Sequence, residues 1–197
     1  MMLKEIIVAS TNKGKIKEFG EILGGRYTLK TLAEIGFTGD IPETENTFLG
    51  NALLKARFGF KMTGKPCLAD DSGLCVTALD NAPGVYSARY AGESCRTEDN
   101  ISLLLKNLKG KKDRSAKFVA CMVLCFNEND YLTAFGETQG IILEGKIGTS
   151  GFGYDPIFFS NELQKSFGKA TPEEKHPISH RGRALKDLLT QLQKRAH

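Results

Sequence analysis

Apolar residues recur along the chain at two spacings, and the changes between them mark the elements. Residues 5–9 are a branched aliphatic run and predict a strand. Ile16, Phe19, Ile22 and Leu23 follow at helical spacing, so the chain opens as strand, polar loop, helix. A second strand is predicted over 27–32, and a helix over 48–61, capped by Asn46 or Thr47, with Ala52, Leu53, Ala56 and Phe60 on its apolar face. Leu68-Ala69 reads as the end of a buried strand. A short apolar run at 76–79 leads to a turn at 81–84, and 85–92 has no clear period. Thr97 caps a helix carrying Ile101, Leu104, Leu105 and Leu108, and 110–114 is a charged loop. Residues 115–126 and 131–139 predict a hairpin through Asn127-Glu128-Asn129-Asp130, with a further strand at 141–147. A short helix begins at Thr171-Pro172 and stops at Pro177. The final helix carries Ala184, Leu185, Leu188, Leu189 and Leu192. Three β runs in succession break a pure βαβ repeat, so the expectation is α/β with a mixed sheet. No internal repeat, low-complexity linker or clean boundary divides the 197 residues.

Composition adds little to that pattern: 41% hydrophobic and 25% charged residues suit a globular protein able to bury a large core. No apolar run approaches the ~20 residues of a membrane span. The N-terminus lacks the pattern of a signal peptide, so the expected location is cytoplasmic. A net charge of +4 suits an anionic small molecule as well as nucleic acid. Cys67, Cys75, Cys95, Cys121 and Cys125 are odd in number and irregularly spaced, which favours small buried hydrophobes over disulfides or a zinc site.

Three stretches carry candidate chemistry. Leu68-Ala69-Asp70-Asp71-Ser72-Gly73-Leu74 reads as a strand handing two adjacent carboxylates to a loop, a foothold for Mg²⁺; taken alone, the stretch reads more readily as a turn or helix cap. Ser10-Thr11-Asn12-Lys13-Gly14-Lys15 places hydroxyls, an amide and two lysines at a helix start, where free N–H groups attract phosphate; the alternative is a plain cap followed by solvated lysines. It is not a Walker loop, whose spacing is absent. Gly148 to Pro156 is glycine-rich with two aromatics and a carboxylate. It suits close approach to a flat ring, or a tight turn whose aromatics enter the core. Lys55 and Arg57 are solvated-face residues by default. His180 adjoins Arg181, a side chain suited to recognising oxygens.

Together these motifs resemble the Ham1/RdgB-type inosine triphosphate pyrophosphatases. The likeness runs in order through Ser10-Thr11-Asn12-x-x-Lys15, the acidic loop at Glu43, and Thr47-Phe48-x-x-Asn51-Ala52-x-x-Lys55-Ala56. It continues through the Asp70-Asp71 stretch, Pro83-Gly84-Val85-Tyr86-Ser87-Ala88-Arg89-Tyr90, Phe152-Gly153-Tyr154-Asp155-Pro156 and Ile178-Ser179-His180-Arg181. Two positions depart from the family pattern: Gly50 stands where glutamate is usual, and Thr11 where glycine is common.

The resemblance implies one domain over 1–197, a long mixed sheet flanked by helices and forming two lobes around a central active-site cleft, the Maf/Ham1 architecture. It implies hydrolysis of ITP, dITP and XTP to the monophosphate and pyrophosphate, keeping deaminated purines out of DNA and RNA. Asp71 would be the general base. Glu43, Asp71 and Asp70 would hold Mg²⁺, one or more per subunit, with Mn²⁺ able to substitute. Ser10, Thr11, Asn12, Lys13, Gly14, Lys15, Lys55 and Ser72 would bind the phosphates. Phe152, Gly153, Tyr154, Asp155, Lys175, His180 and Arg181 would form the base site, with Phe152 and Tyr154 flanking the purine and Asp155 accepting a ring N–H. A homodimer is expected, with no nucleic-acid or membrane partner. The alternative enzyme is a Maf-like pyrophosphatase for pyrimidine or modified nucleotides. A nucleic-acid-binding module, suggested by the basic C-terminal helix, is opposed by the acidic residues at 40–45 and 70–71.

Overall fold

The computed structural model describes residues 4–39, 41–94 and 96–195. Strand β1 (Glu5–Val8) leads to helix α1 (Lys13–Leu23). Asn12 starts that helix: its Oδ1 accepts from the N–H groups of Gly14 at 3.0 Å and Lys15 at 3.2 Å, two donors that a helix start leaves over. β2 (Thr28–Thr31) pairs parallel with β1. Helix α2 (Phe48–Thr63) begins at Thr47, whose hydroxyl accepts from Gly50 N–H at 3.0 Å. It ends at Gly64, whose φ of 64° is left-handed and whose N–H returns to the Phe60 carbonyl. The chain continues through β3 (Cys67–Val76), α3 (Thr97–Asn107), β4 (Ser115–Cys125), β5 (Tyr131–Ile142), β6 (Phe158–Ser160), β7 (Lys165–Ser166), the one-turn helix α4 (Pro172–Lys175) and α5 (His180–Arg195).

The strands form one mixed sheet of order β2-β1-β3-β4-β5-β6-β7, as three β runs in succession predict. β1 is parallel to β2 and β3, whereas β5, β6 and β7 pair antiparallel. The chain packs as two compact units. One holds the chain through Asp71, Ala120–Phe135 and the chain from Gly182; the other holds Ser72–Val119 and Gly136–Arg181.

In the first unit, alternate residues of β3 and β4 face two different helical layers, as the period-two geometry of a strand requires. Leu68, Ala120, Met122 and Leu124 join Phe19 and Leu23 of α1 and Leu185 and Leu188 of α5. Cys67, Ala69, Cys121, Val123 and Cys125 join Ala52 and Ala56 of α2. Burial on both faces explains why β4 reads as an unbroken apolar run. In the second unit, Leu74, Val76 and Phe118 pack with Leu104 and Leu108 of α3 and with Tyr154, Phe158 and Phe167.

Several expectations need correction. Asp70-Asp71-Ser72-Gly73 lies in the middle of β3, neither at a strand end nor in a turn. Gly73 is what makes the stretch look like a loop, but the strand needs it: a Cβ there would come within 2.2 Å of the Gly84 carbonyl oxygen. Residues 143–147 form no strand, and the sheet is completed instead by the short β6 and β7. The unassigned stretch after Pro83 is a 3₁₀ helix, Gly84–Arg89. Arg96 rather than Thr97 precedes α3, with the Asp99 carboxylate accepting from Arg96 N–H at 2.8 Å. α5 starts at His180, so His180 and Arg181 belong to its first turn and do not precede it. Cys67, Cys75, Cys121 and Cys125 are buried free thiols, and Cys95 lies outside the described residues. Among the described residues no helix is long and apolar enough to cross a membrane.

Candidate active site

The candidate residues gather in groups that each lie within one unit. In the first unit, β3 presents its two aspartates to opposite faces, because neighbours in a strand cannot share one. Asp70 follows Leu68 toward α1, where the Lys15 ammonium meets its Oδ1 at 2.5 Å. Asp71 follows Ala69 toward α2, where Lys55 lies 3.5 Å from its Oδ1. Asp70 and Asp71 therefore meet different lysines, Asp70 on the side of α1 and Asp71 on that of α2. Glu43 does join Asp71: the Lys55 ammonium donates to Glu43 Oε1 and so spans both carboxylates. Lys55 itself is 7% exposed, which overturns its reading as a solvated residue; Arg57 is exposed, as expected.

The electrostatics of this group follow from burial. Removal from water pushes the Asp71 carboxyl up to about 6, with Glu43 and Asp70 adding to the rise and Lys55 and Lys15 opposing it. Burial alone would lower the Lys55 ammonium. The carboxylates of Asp71, Glu43 and Asp70 outweigh that and hold it above its ordinary value.

Asn51, absent from the expected site, is fully buried on α2. Its Nδ2 donates to Asp71 Oδ2 at 3.1 Å and to the Glu45 carbonyl at 3.2 Å, and its Oδ1 accepts from Glu45 N–H at 3.0 Å. The signal for it was a polar residue at the centre of the apolar face of a helix. At the start of α1 the amide of Asn12 takes two helix donors, and Ser10 Oγ accepts from Asn12 N–H at 3.2 Å. The cap expected in that loop is formed, but Lys15 is drawn to Asp70 and is not solvated, while Thr11 and Lys13 are exposed.

In the second unit, Asp155 organises the glycine-rich loop. Its Oδ2 accepts from Lys175 Nζ at 2.7 Å and from Phe152 N–H at 2.9 Å. Gly151 has φ +74°, and a Cβ there would lie 2.0 Å from the same oxygen, so only glycine fits. The Arg181 guanidinium lies 5.0 Å from the Phe152 ring centroid and donates to Ser72 Oγ at 2.8 Å; the Lys175 ammonium lies 5.5 Å from that ring. Two cations, one carboxylate and an aromatic face thus converge. Tyr154 does not join them: it is buried in the core, its hydroxyl donating to the Ser87 carbonyl at 2.9 Å. His180 stacks on Phe118 at 4.8 Å between centroids. The aromatics of the loop are therefore divided, Tyr154 packing inward and Phe152 remaining half-buried beside the cations.

The first group suits polyanions and cations; the second can donate hydrogen bonds to oxygens beside a ring. The model of the Ham1 family matches residues 6–191. The dITP/XTP pyrophosphatase of Bacillus licheniformis is 46% identical over 189 residues, covering 94% of this chain and 96% of that protein. Its namesake in Thermus thermophilus is 47% identical over 189 residues, covering 94% and 90%. Among solved structures, the Ham1 protein of Staphylococcus aureus matches with a TM-score of 0.87 at 41% identity, covering 98% of this chain and 100% of that one. The HAM1 protein of Coxiella burnetii gives 0.88 at 42% identity with the same coverage.

Proposed function

The chain belongs to the Ham1 family, and from that premise we propose that it hydrolyses dITP, ITP and XTP to the nucleoside monophosphate and pyrophosphate. The observation that carries the reading is the Lys55 ammonium held between the carboxylates of Glu43 and Asp71. It marks a place built for positive charge beside a carboxyl that burial pushes up to about 6.

Asp71 takes the proton of the water that attacks the α-phosphorus. A carboxyl pushed up to about 6 is a stronger base than an ordinary aspartate and is still mostly ionised at neutral pH. Bond formation to the α-phosphorus releases the β- and γ-phosphates as pyrophosphate. Lys15 and Lys55 neutralise phosphate oxygens, with Ser72 a shorter-range donor. Glu43 and Asp71 suit Mg²⁺, which takes one or two carboxylates plus substrate phosphates and needs no all-protein cage. These two, which share the Lys55 ammonium, are the residues we assign to it, with Asp70 the next acid along β3. When bound, the ion neutralises charge on the leaving pyrophosphate and acidifies water.

Lys175 and Arg181, and His180 next to Arg181 in sequence, donate to the 6-keto oxygen, with Phe152 against the purine. Asp155 orients Lys175. Adenine offers an amino group where these donors need an acceptor, and each donor left unpaired costs about 1–3 kcal/mol. Two such losses reject ATP by about 100-fold or more. The Maf-like alternative is not favoured, since relatives matched over nearly their whole length are dITP/XTP pyrophosphatases. The same reading has the chain acting as a homodimer in the cytoplasm.

The test is kcat/KM for ITP, XTP, dITP, GTP and ATP with Mg²⁺, with product identification. Pyrophosphate should appear together with the monophosphate, and only with a divalent cation. Orthophosphate as the first product, or ATP used as well as ITP, rejects the reading.

A further inference from the structure

We propose that Asn51 is a positioning residue: it fixes which oxygen of Asp71 faces the cation-binding side, and it ties the loop bearing Glu43 to the same point. The kinetic part of this proposal rests on the pyrophosphatase reading; the structural part does not.

Asn51 and Lys55 stand four residues apart on α2 and so lie one above the other on one helix face. They divide the carboxylate of Asp71 between them. Asn51 Nδ2 donates to Oδ2 at 3.1 Å, while Lys55 lies 3.5 Å from Oδ1. An aspartate carboxylate turns over a broad range about its last bond. A neutral donor committed to one oxygen removes that freedom and leaves Oδ1 as the oxygen on the side of Lys55 and Glu43.

The rest of the amide is spent on Glu45. Its Oδ1 accepts from Glu45 N–H at 3.0 Å and its Nδ2 donates to the Glu45 carbonyl at 3.2 Å, closing a ring on that residue's backbone. Glu43 is two residues upstream. The same stretch is held again at Thr47, whose hydroxyl accepts from Gly50 N–H at 3.0 Å. Gly50 allows the close approach: a Cβ there would lie 2.7 Å from Glu45 Cβ. One buried side chain thus sets the bearer of Glu43 relative to Asp71. No other residue type does both. Aspartate keeps the acceptor and loses both donations; alanine loses everything; glutamine is one methylene too long for the ring.

The experiment compares wild type, Asn51→Ala and Asn51→Asp, each checked for folding by circular dichroism. Two quantities are read: exchange of the Glu45 amide hydrogen in protein free of nucleotide and metal, and kcat and KM for ITP with Mg²⁺. In Asn51→Ala the Glu45 amide should exchange at least about tenfold faster, and kcat should fall by about tenfold or more with a smaller change in KM. In Asn51→Asp the amide should stay protected, because the carboxylate still accepts it, while kcat falls at least as far. Wild-type kcat in Asn51→Asp, or unchanged Glu45 exchange in Asn51→Ala, overturns the proposal. If Asn51→Ala does not fold, the kcat of the near-isosteric Asn51→Asp decides. If the wild-type protein releases no pyrophosphate from ITP, the functional reading fails, and Glu45 exchange still decides whether Asn51 holds the loop.

Discussion

Asp71 shows how one residue can serve chemistry at a cost to stability. Its carboxyl lies at about 6 in the folded protein, against 3.8 for an ordinary aspartate, chiefly because it is buried. Between those values the folded chain binds the proton more tightly than the unfolded chain, so stability declines as pH rises through that window and is level above it. A shift of about two units corresponds to roughly 3 kcal/mol. Asp71→Asn should therefore abolish pyrophosphate release and yet melt higher than wild type at pH 7.5 in chelator, with the advantage gone near pH 4. Melting curves across that range check the sign, and an activity assay checks the loss. Gly50 makes a second case. Restoring the family's usual glutamate drives a Cβ to within 2.7 Å of Glu45 Cβ and 2.9 Å of its Cγ. Gly50→Glu should lower the melting temperature and leave kcat/KM for ITP no higher than before. At this scale residue type and the family resemblance mark Asp71, Lys15 and Arg181 as candidates in the sequence. Asn51 shows there only as a polar residue on an apolar helix face, since its role lies in geometry: a buried amide shows its partners only once Glu45 and Asp71 are folded around it.

At the scale of elements, the packing of α2 on β3 decides where the chemistry sits. A Cβ on Gly59 would come within 2.3 Å of the Cys67 sulfur, so helix and strand approach as closely as a thiol allows. Gly59→Ala should destabilise the protein by about 1–3 kcal/mol despite the better helix propensity of alanine. Adding Cys67→Ala should recover much of that loss, and denaturant titration of both single variants and the double variant would measure the coupling. The helices themselves were readable from caps and period: Asn12, Thr47 and Thr171 sit at their starts as polar caps should. β3 was misread because two aspartates, a serine and a glycine carry the composition of a turn. Only tertiary contact explains them as strand, with a lysine from a helix on each face and Ser87 Oγ accepting the Leu74 N–H at 2.8 Å. Of the strand expected at 141–147 only Ile141 and Ile142 form, as the end of β5, for the converse reason: apolar residues there suit a strand, but the partners of β5 come from β6.

For the whole molecule, the mixed sheet followed from the order of elements, while the division into units did not. β3, β4 and β5 each pass through both units, so no composition shift marks a boundary. Cys67 and Cys75 stand near opposite ends of β3, one in each unit, and burial pushes both thiols up, Cys67 to about 12. Because one strand joins them, both should resist a thiol reagent at pH 8 and become labelled at the same denaturant concentration. Mass spectrometry of the labelled peptides would show whether their midpoints coincide.

The two adjacent acids of β3 have one more consequence. A chain threaded one residue out of place during assembly would still set Asp71 opposite Lys15, with Ser72 opposite Lys55, so ionic attraction judges that mistake only in part. Bulk is the better judge: the error turns Leu68 toward the flank of α2, where Gly59 leaves room for little beyond a sulfur atom. Correct threading of the reactive strand is thus policed by its smallest neighbours.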